Sequence, residues 1–391
     1  MNGQELLRRA HAMENELFEV RRRIHACPEL GNQEYKTAGL VEDYLRGCGI
    51  ETSRPLPTAV VGVLRGGLPG TAAALRADMD ALPIRETTGV PYASRCPGVM
   101  HACGHDFHTT AALGAAKLLS QMRESLPGTV KFFFQPDEEG RGGAARMMEA
   151  GCMDAPEVTA VFGAHVDPNL PAGTVGVREG KFYAAADVFD VTVHGRSAHG
   201  AQPELGIDAL YAAADTVCAL HQLTARFPDE RTVLAIGTFS SGAARNIIAD
   251  RAEFAGILRT LGPDARAAMK EALLRTIEET AARHGARAET AIRTSYPGVV
   301  NHAGAAALVR RTAAALLGDG RLADIQQPTM TTEDFGCFGA RAPIAFYHIG
   351  VGGDYSLHTP GFLPPESLLP DAAALHAAVL AAYLADPAAI L

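Results

Sequence analysis

The sequence has no uninterrupted apolar run of about 18 residues, the length that a membrane-spanning helix needs, and no Cys-x-x-Cys pair. It starts with charged, helix-like residues instead of the apolar core of a signal peptide. Its seven cysteines are scattered and odd in number, which is typical of free thiols in a reducing compartment. We therefore expect a cytoplasmic protein with no membrane partner.

Charge and length set further limits. The 44 acidic residues outnumber the 35 basic ones and give a net charge of −9, which argues against nucleic acid as a partner. With 391 residues, of which 47% are hydrophobic, the chain exceeds the size that a single core usually fills. Two domains are therefore expected.

Short apolar runs typical of buried strands alternate with helical patterns in the first part of the chain. The apolar runs are residues 59–64, 72–77, 130–134 and 158–164. Helical spacing occurs at residues 4–25, 40–45, 109–122 and 144–150. This alternation predicts an α/β domain with a mostly parallel sheet, in which ligands bind at the carboxyl ends of the strands.

The middle of the chain has a different order of elements. The pattern predicts a strand at 188–193, a helix at 207–223, strands at 232–239 and 251–258, a helix at 264–284 and a strand at 289–294. This β-α-β-β-α-β order is that of a ferredoxin-like module. Because the α/β pattern resumes after Pro297, we predict one domain from residues 1–186 and 295–391, with an α+β domain inserted at 187–294.

Residues 100–108 read Met-His-Ala-Cys-Gly-His-Asp-Phe-His and bring together a thiol, three imidazoles and a carboxylate. One glycine separates Cys103 from His105, so an extended backbone would project both side chains to the same side. A thiolate beside an imidazole suits zinc or a similar divalent ion. Histidines near a helix start can also be ordinary hydrogen-bonded surface groups.

Residues 131–140 read Lys-Phe-Phe-Phe-Gln-Pro-Asp-Glu-Glu-Gly, a buried-strand pattern that ends in three acids. Burial of three carboxylates together is costly unless cations neutralise them. Adjacent residues point in different directions, so Glu139 can bind a metal while Glu138 faces a metal-bound water as general base. A solvated acidic turn is the alternative.

Two further histidines follow predicted strands or turns. His165 closes an apolar run, and His358 lies in a loop after a glycine-rich turn. Each taken alone is more often a hydrogen-bonded residue than a ligand. Together with Cys103, His105 and Glu139 they offer more ligands than one tetrahedral zinc uses, about what two ions sharing a bridging group would need.

These residues resemble the dinuclear metallo-amidohydrolases, a family that includes aminoacylases, hippurate hydrolases, auxin-conjugate hydrolases and N-acetyl-diaminopimelate deacetylases, and that is related to metallo-carboxypeptidases and dipeptidases. The resemblance covers nearly the whole chain. The matching segments are residues 22–34, 75–84, 103–106, 134–140, 163–166, 195–208, 245–259, 330–335 and 357–360. Each segment alone would be a weak signal, whereas their order and spacing together are specific.

The resemblance implies two divalent metal ions per subunit, manganese or zinc before cobalt or nickel, with Cys103 or a water bridging them. The implied ligands are Cys103, His105, Glu139, His165 and His358. Glu138 falls on the general base. Asp78 and Asp80 fall on acids that orient ligand imidazoles, with a strand-end turn as the alternative. His101, Asp106 and His108 are then supporting or helix-start groups.

The resemblance also implies roles in the inserted domain. His199 matches a histidine that reaches the active site of the partner subunit and stabilises the oxyanion. Asn246 and Arg259 match positions that hold the substrate carboxylate, although Arg259 could equally form a structural salt bridge. The family usually has a second histidine where this chain has Glu204, and paired glycines where it has Ser197 and Ala198. Both departures concern substrate preference.

The implied fold is a metallopeptidase-like catalytic domain with an inserted ferredoxin-like domain that serves as lid and dimerisation surface. The implied function is hydrolysis of the amide bond of N-acyl amino acids by Glu138-assisted attack of a metal-bound water, in a homodimer or higher oligomer. Two alternatives remain open. One is a carboxypeptidase or dipeptidase on the same scaffold, and the other is a non-catalytic binding protein that has kept the fold.

Overall fold

The computed structural model describes residues 3–227 and 231–390, which form two compact units. The first unit comprises the residues up to Gly180, Val300–Gln327 and those from Asp334 onward, and the second comprises Lys181–Val299 and Pro328–Glu333. The predicted domain boundaries lie a few residues away from these limits. The return of the chain to the second unit at 328–333 is not predicted by the sequence pattern.

The strands and helices of the described residues are numbered here in chain order. The strands are β1 (Glu51–Ser53), β2 (Val60–Arg65), β3 (Leu68–Asp78), β4 (Pro127–Gln135), β5 (Val158–Asp167), β6 (Val175–Gly176), β7 (Gly180–Tyr183), β8 (Ala185–His194), β9 (Thr232–Ser241), β10 (Arg251–Thr260), β11 (Arg287–Thr294), β12 (Val299–Asn301), β13 (Leu322–Ala323) and β14 (Ile344–Gly350). The α-helices are α1 (Gly3–Ala12), α2 (Glu14–His25), α3 (Tyr35–Gly47), α4 (His105–Ser120), α5 (Ala144–Glu149), α6 (Ala209–His221), α7 (Pro263–Arg283), α8 (Ala303–Leu317) and α9 (Leu369–Ala385).

The sheet of the first unit has, among the described residues, the strand order β1-β2-β4-β3-β5-β14-β6-β13. The four central strands, β4, β3, β5 and β14, are parallel to one another. A central parallel strand is buried on both faces, which explains why its sequence is an apolar run and not an alternating pattern. The predicted α/β domain with a mostly parallel sheet is confirmed.

Alternate side chains of β4 enter different layers of the core. Phe132 and Phe134 join the core cluster that includes α4 and α9, whereas Phe133 stacks on Phe338 with ring centroids 5.5 Å apart. The stretch Glu366–Ala385, which contains α9, is long and apolar enough to cross a membrane, but 67% of its most apolar window is buried inside the protein. We interpret α9 as a core helix.

Parallel strands bring their carboxyl ends to one edge of the sheet. The strand β3 ends at Asp78, β4 at Gln135, β5 at Asp167 and β14 at Gly350. The segments that follow these ends carry the acids at 80, 138 and 139 and the histidine at 358. His165 is the third residue from the end of β5. The topology therefore gathers the predicted metal-binding residues of the first unit.

The second unit contains an antiparallel sheet with the order β11-β8-β10-β9, on which α6 and α7 pack around a common apolar core. Side chains of β8 alternate between buried and more exposed, as expected for a sheet covered on one face. Asp208 accepts a hydrogen bond from the backbone N–H of Tyr211 at 3.1 Å and so caps α6. The β-α-β-β-α-β order is as the sequence predicts.

Three predicted helices differ by several residues in their bounds, and the one expected at 40–45 spans Tyr35–Gly47. The single helix expected at 4–25 is divided at Met13 into α1 and α2, because Met13 leaves the helical conformation. The helix expected to begin at Thr109 begins instead at His105. The predicted metal-binding motif therefore runs into the helix and does not precede it.

Candidate metal centre

Gly104 determines how the thiol and the imidazole of the motif are presented. Its φ of +84° is left-handed, and a Cβ atom there would lie 2.6 Å from Cγ2 of Val166, so only glycine fits. The glycine precedes the first turn of α4. The backbone is therefore not extended here, and a left-handed turn into a helix brings Cys103 and His105 together instead.

Two groups of ligand atoms share Cys103. One group is Cys103, His105 and His165, and the other is Cys103, Glu139 and His358. The Sγ atom of Cys103 lies 3.3 Å from Nε2 of His165 and 3.2 Å from Nε2 of His358. The Nε2 atom of His358 lies 2.9 Å from Oε1 of Glu139. The structure thus brings together all five residues predicted as ligands.

Glu138 belongs to the same cluster. One of its carboxylate oxygens lies within 4.8 Å of ligand atoms of His105 and Glu139. The Glu138 side chain is buried, with 7% relative exposure. A carboxylate beside the shared donors and shielded from bulk water is placed to exchange a proton with a molecule bound among them.

Asp80 orients two of the donors. Its Oδ1 accepts a hydrogen bond from Nδ1 of His105 at 3.2 Å, and its Oδ2 accepts one from the backbone N–H of Glu139 at 3.0 Å. Once the ring is neutral, as metal binding requires, a proton kept on Nδ1 by Asp80 leaves Nε2 of His105 with a free lone pair. That atom is buried without a hydrogen-bond partner, which is the state expected of an imidazole nitrogen placed to bind a cation.

Asp78 serves a different purpose from the one predicted. Its Oδ1 accepts from Nδ1 of His108 at 2.6 Å, and its Oδ2 accepts from Arg76 at 2.7 Å, whereas Nε2 of His105 is 3.8 Å away. The Nε2 atom of His108 accepts the backbone N–H of Val166 at 2.9 Å. The prediction that Asp78 orients a ligand imidazole is corrected: it orients His108, which supports the strand end that carries His165.

The charges of the site favour a bound cation. Burial and the nearby Glu139 and Glu138 hold the pKa of the Cys103 thiol well above its usual range. Burial lowers the pKa of His105, but Asp78, Asp80 and Glu139 outweigh it and raise the pKa to about 10. The site thus has an excess of negative charge, which a divalent ion would neutralise. A bound divalent ion would also stabilise the thiolate form of Cys103.

The donor set fits two divalent ions. Sulfur, imidazole nitrogen and carboxylate oxygen are all ligands of transition metals, and the shared Cys103 places one donor in both groups. His165 donates its Nδ1 proton to the carbonyl oxygen of Val166 at 2.7 Å, so its Nε2, the atom beside Cys103, is the one with a free lone pair. Burial and the adjacent His108 hold the pKa of His165 well below its usual value, so the ring is neutral.

Three polar residues near the centre are missed by sequence reasoning. Arg76 is fully buried and binds Asp78, Gln135 and Asp334, while Arg21 and His25 of α2 both contact Asp106. A charged residue inside the apolar run 72–77 is a signal that could have revealed Arg76. Nothing in the pattern of α2 indicates the buried pair.

The three predicted residues of the second unit lie on exposed or half-buried surface. His199 and Asn246 are exposed and occupy neighbouring segments, joined by a bridge between His199 and Ile247 and by a hydrogen bond from Gly200 N to Asn246 O at 2.8 Å. Arg259 lies on β10 and donates to the carbonyl oxygen of Met330 at 2.7 Å. Among the residues described, it forms no salt bridge, so the alternative of a structural ion pair has no support.

A cluster of sulfur, nitrogen and oxygen donors at the carboxyl edge of a parallel sheet, with Cys103, His105 and His165 buried and a buried carboxylate beside them, defines a metal-dependent hydrolase. The family model for peptidase family M20/M25/M40 matches residues 74–382, and the chain belongs to this family. It is a hydrolytic enzyme with a dinuclear metal site.

Relatives and solved structures agree with this assignment. A probable hydrolase of Synechocystis sp. is 41% identical over 93% of this chain and 95% of its own length. An N-acetylcysteine deacetylase of Bacillus subtilis is 38% identical over 92% of this chain and 94% of its own length. Thermostable carboxypeptidase 2 of Saccharolobus solfataricus is 37% identical over 93% of this chain and 94% of its own length. A crystal structure of a Bacillus subtilis protein, described as a dinuclear metal binding peptidase from the M20 family, superposes with a TM-score of 0.86 at 35% identity over 96% of this chain and 99% of that one.

Proposed function

We propose that the enzyme hydrolyses the amide bond of N-acyl amino acids, with Glu138 as the general base. The observation that carries this proposal is the pair of donor groups sharing Cys103, with Glu138 in a third group beside His105 and Glu139. The name of the deacetylase relative supports the substrate class. The reaction would release a carboxylic acid and an amino acid.

Cys103, His105, Glu139, His165 and His358 would hold two divalent ions, and this mixed donor set suits manganese or zinc, with cobalt and nickel also accepted. When bound, the ions would lower the pKa of a water and polarise the amide carbonyl. Glu138 would take the proton of the attacking water and pass it to the leaving nitrogen. Asp80 would keep His105 in the tautomer that leaves Nε2 free.

The second unit would act as lid and dimerisation domain, with His199 serving the active site of the partner subunit. The Nδ1 atom of His199 accepts the backbone N–H of Ala201 at 3.1 Å, so the Nε2 proton is available to an oxyanion. Exposed apolar side chains support an interface between subunits: Leu205, Leu210 and Tyr211 follow His199 in the sequence, and Ile247 is paired with it by a backbone bridge.

Asn246 and Arg259 would bind the substrate carboxylate. The guanidinium of Arg259 offers donors in a planar fork that suits a carboxylate.

The enzyme would be located in the cytoplasm. All seven cysteines are free thiols, which supports a reducing compartment.

A hydrolysis screen tests the proposal. After reconstitution with manganese or zinc, the enzyme should release one amino acid per molecule of N-acetyl or N-benzoyl amino acid consumed. Glu138→Gln should bind metal and lose this activity. Near-full activity of metal-loaded Glu138→Gln would show that Glu138 is not the base, and the absence of any turnover on the panel would refute the substrate class.

A carboxypeptidase or dipeptidase activity is the second candidate, because one relative is named a thermostable carboxypeptidase. Dipeptides in the same panel separate the two, since they yield two free amino acids. Faster turnover of dipeptides than of acyl amino acids would favour the second candidate. Less than one metal per chain, with no hydrolysis of either class after reconstitution, would instead indicate a binding protein.

A further inference from the structure

A cluster of buried charged residues lies behind the metal-binding motif. Arg21 and His25 of α2 both contact Oδ2 of Asp106, from Nε and Nδ1 respectively, each at 2.9 Å. His25 contacts Glu86 through Nε2 at 3.1 Å. The side chains of Arg21, His25 and Asp106 are completely buried. Charged groups held out of water in this way are stable only while each keeps its partners.

The cluster joins the two segments that carry candidate metal ligands. Asp106 directly follows His105 in the first turn of α4. Arg21 also donates from Nη1 to the carbonyl oxygen of Pro364 at 2.7 Å, in the loop that contains His358. One guanidinium therefore binds the helix start on one side and the His358 loop on the other.

Further contacts connect the same segments. The backbone N–H of His358 donates to the carbonyl oxygen of Ala102 at 2.8 Å. The backbone N–H of Thr87, next to Glu86, donates to the carbonyl oxygen of Pro360 at 2.8 Å. His358 itself has a φ of +61°, a conformation that a non-glycine residue keeps only where its surroundings enforce it. The loop is thus held against residues 102–106 at several points.

We propose that Arg21 and His25 are positioning residues for the metal centre. Arg21 acts through Asp106 and the carbonyl of Pro364, and His25 acts through Asp106 and Glu86; together they fix the spacing between His358 and the Cys103–His105 turn. Neither side chain is a metal ligand. The inference relies on the proposed ligand set but not on the proposed substrate. Because His358 lies in the second donor group and His105 in the first, a change in the cluster should alter how both ions are held.

An ion pair between the same two helices provides a matched control. Lys117 of α4 contacts Glu16 of α2 with Nζ 2.6 Å from the nearer carboxylate oxygen. This pair also joins α2 to α4, but it lies a helix length away from the motif and contacts neither ligand-bearing segment. Lys117→Met should therefore affect stability without affecting the metal centre.

Titration of the metal-free protein with Co²⁺ tests the proposal, because thiolate ligation adds a charge-transfer absorption that reports the bond to Cys103. We expect Arg21→Met and His25→Gln to weaken Co²⁺ affinity at least tenfold and to change this absorption. Arg21→Lys should recover part of the affinity, because a lysine can reach one of the two partners. Lys117→Met should match the wild type in both measurements.

The thermal unfolding midpoint is measured on the same samples. If His25→Gln and Arg21→Met lower it but leave Co²⁺ affinity and spectrum unchanged, the cluster is merely structural and the proposal is wrong. If Arg21→Met does not fold, His25→Gln and Arg21→Lys decide the matter alone. Because these readouts do not involve hydrolysis, a failure of the proposed substrate class would leave their result intact.

Discussion

Asp80 and His105 form a buried hydrogen bond of 3.2 Å that sets the tautomer of the imidazole. The second oxygen of Asp80 accepts the backbone N–H of Glu139. The Asp80 carboxylate therefore orients the imidazole of His105, which belongs to one of the two donor groups, and the backbone of Glu139, which belongs to the other. The two groups are linked through Asp80 as well as through Cys103.

Substitution of Asp80 should weaken metal binding. We expect Asp80→Ala to reduce metal affinity about 10–100-fold, because His105 loses the acceptor that fixes its ring. Asp80→Asn should reduce metal affinity less than Asp80→Ala does. Its amide oxygen can still accept a hydrogen bond from Nδ1 of His105, but its amide nitrogen cannot accept one from the backbone N–H of Glu139. Competition with a chelator measures both affinities. Affinity equal to that of the wild type in both variants would contradict this role.

Glu138 and Glu139 are adjacent but should respond differently to the same substitution. Glu138→Gln should lower the rate of hydrolysis about 10²–10⁴-fold, the contribution typical of a general base, with metal content unchanged. Glu139→Gln should reduce metal content itself, because a neutral amide is a poorer ligand. Metal analysis and rates on one acyl amino acid separate the cases. Equal loss of metal in both variants would assign both residues to ligation.

Gly104→Ala should destabilise the fold by about 1–3 kcal/mol, from the left-handed backbone and from crowding against Val166. Gly98 provides the control, since its φ is also positive at +78° but a Cβ there would meet nothing within 4 Å. Gly98→Ala should therefore show the backbone cost alone. Chemical unfolding of the metal-free proteins measures the difference. Equal losses at the two sites would show that the contact with Val166 carries no cost.

The clustering of the five candidate ligands was predictable because their chemistry is distinctive and their place in the fold is regular. Cys103 and His105 carry uncommon donors, and Glu139 and His165 lie at or after the ends of apolar strands whose carboxyl ends meet at one edge of the sheet. The backbone at Gly104 was not predictable, because the left-handed turn is required by the approach of Val166 from a distant strand.

The partners of buried charges were also beyond sequence reasoning. Asp78 binds Arg76 and His108, and which imidazole it meets depends on how far α4 is rotated against β3. Arg21 and Asp106 are separated by 85 positions and meet only when α2 packs on α4. Periodicity predicts that an element exists, whereas such pairings depend on the packing of elements that are distant in sequence.

Stability should depend on pH through His25. Burial lowers its pKa, but Asp106 and Glu86 outweigh this and raise it to about 9. An unfolded histidine has a pKa of about 6.5, so the charged ring stabilises the fold fully below that pH and the stabilisation, up to about 3 kcal/mol, is lost as pH rises through 9. The stability difference between wild type and His25→Gln should therefore shrink between pH 6.5 and 9.5.

Denaturant unfolding of the metal-free proteins across this pH range measures that difference. His11→Gln is the control, because the contact of His11 with Asp371 is made by a side chain that is 52% exposed, and an exposed ion pair contributes little to stability. A difference between wild type and His25→Gln that stayed constant across the range would show that His25 does not lose a proton there.

Arg259 should determine affinity for the substrate carboxylate. We expect Arg259→Met to raise KM for an acyl amino acid by about tenfold or more with a smaller change in kcat, since a lost charge-assisted hydrogen bond is worth about 1.5–3 kcal/mol. Arg259→Lys should restore only part of the lost affinity for substrate, because an ammonium cannot bind a carboxylate in a bidentate fork.

The same substrate with its carboxylate converted to an amide gives the sharper measurement of the role of Arg259. Wild type should prefer the acid over the amide, and Arg259→Met should lose that preference. Arg251→Met is the control on the same strand, because Arg251 is 58% exposed and paired with Glu253. If Arg259→Met keeps the full preference for the acid, the carboxylate is bound elsewhere, and the hydrogen bond from Arg259 to Met330 is then a structural contact within the second unit.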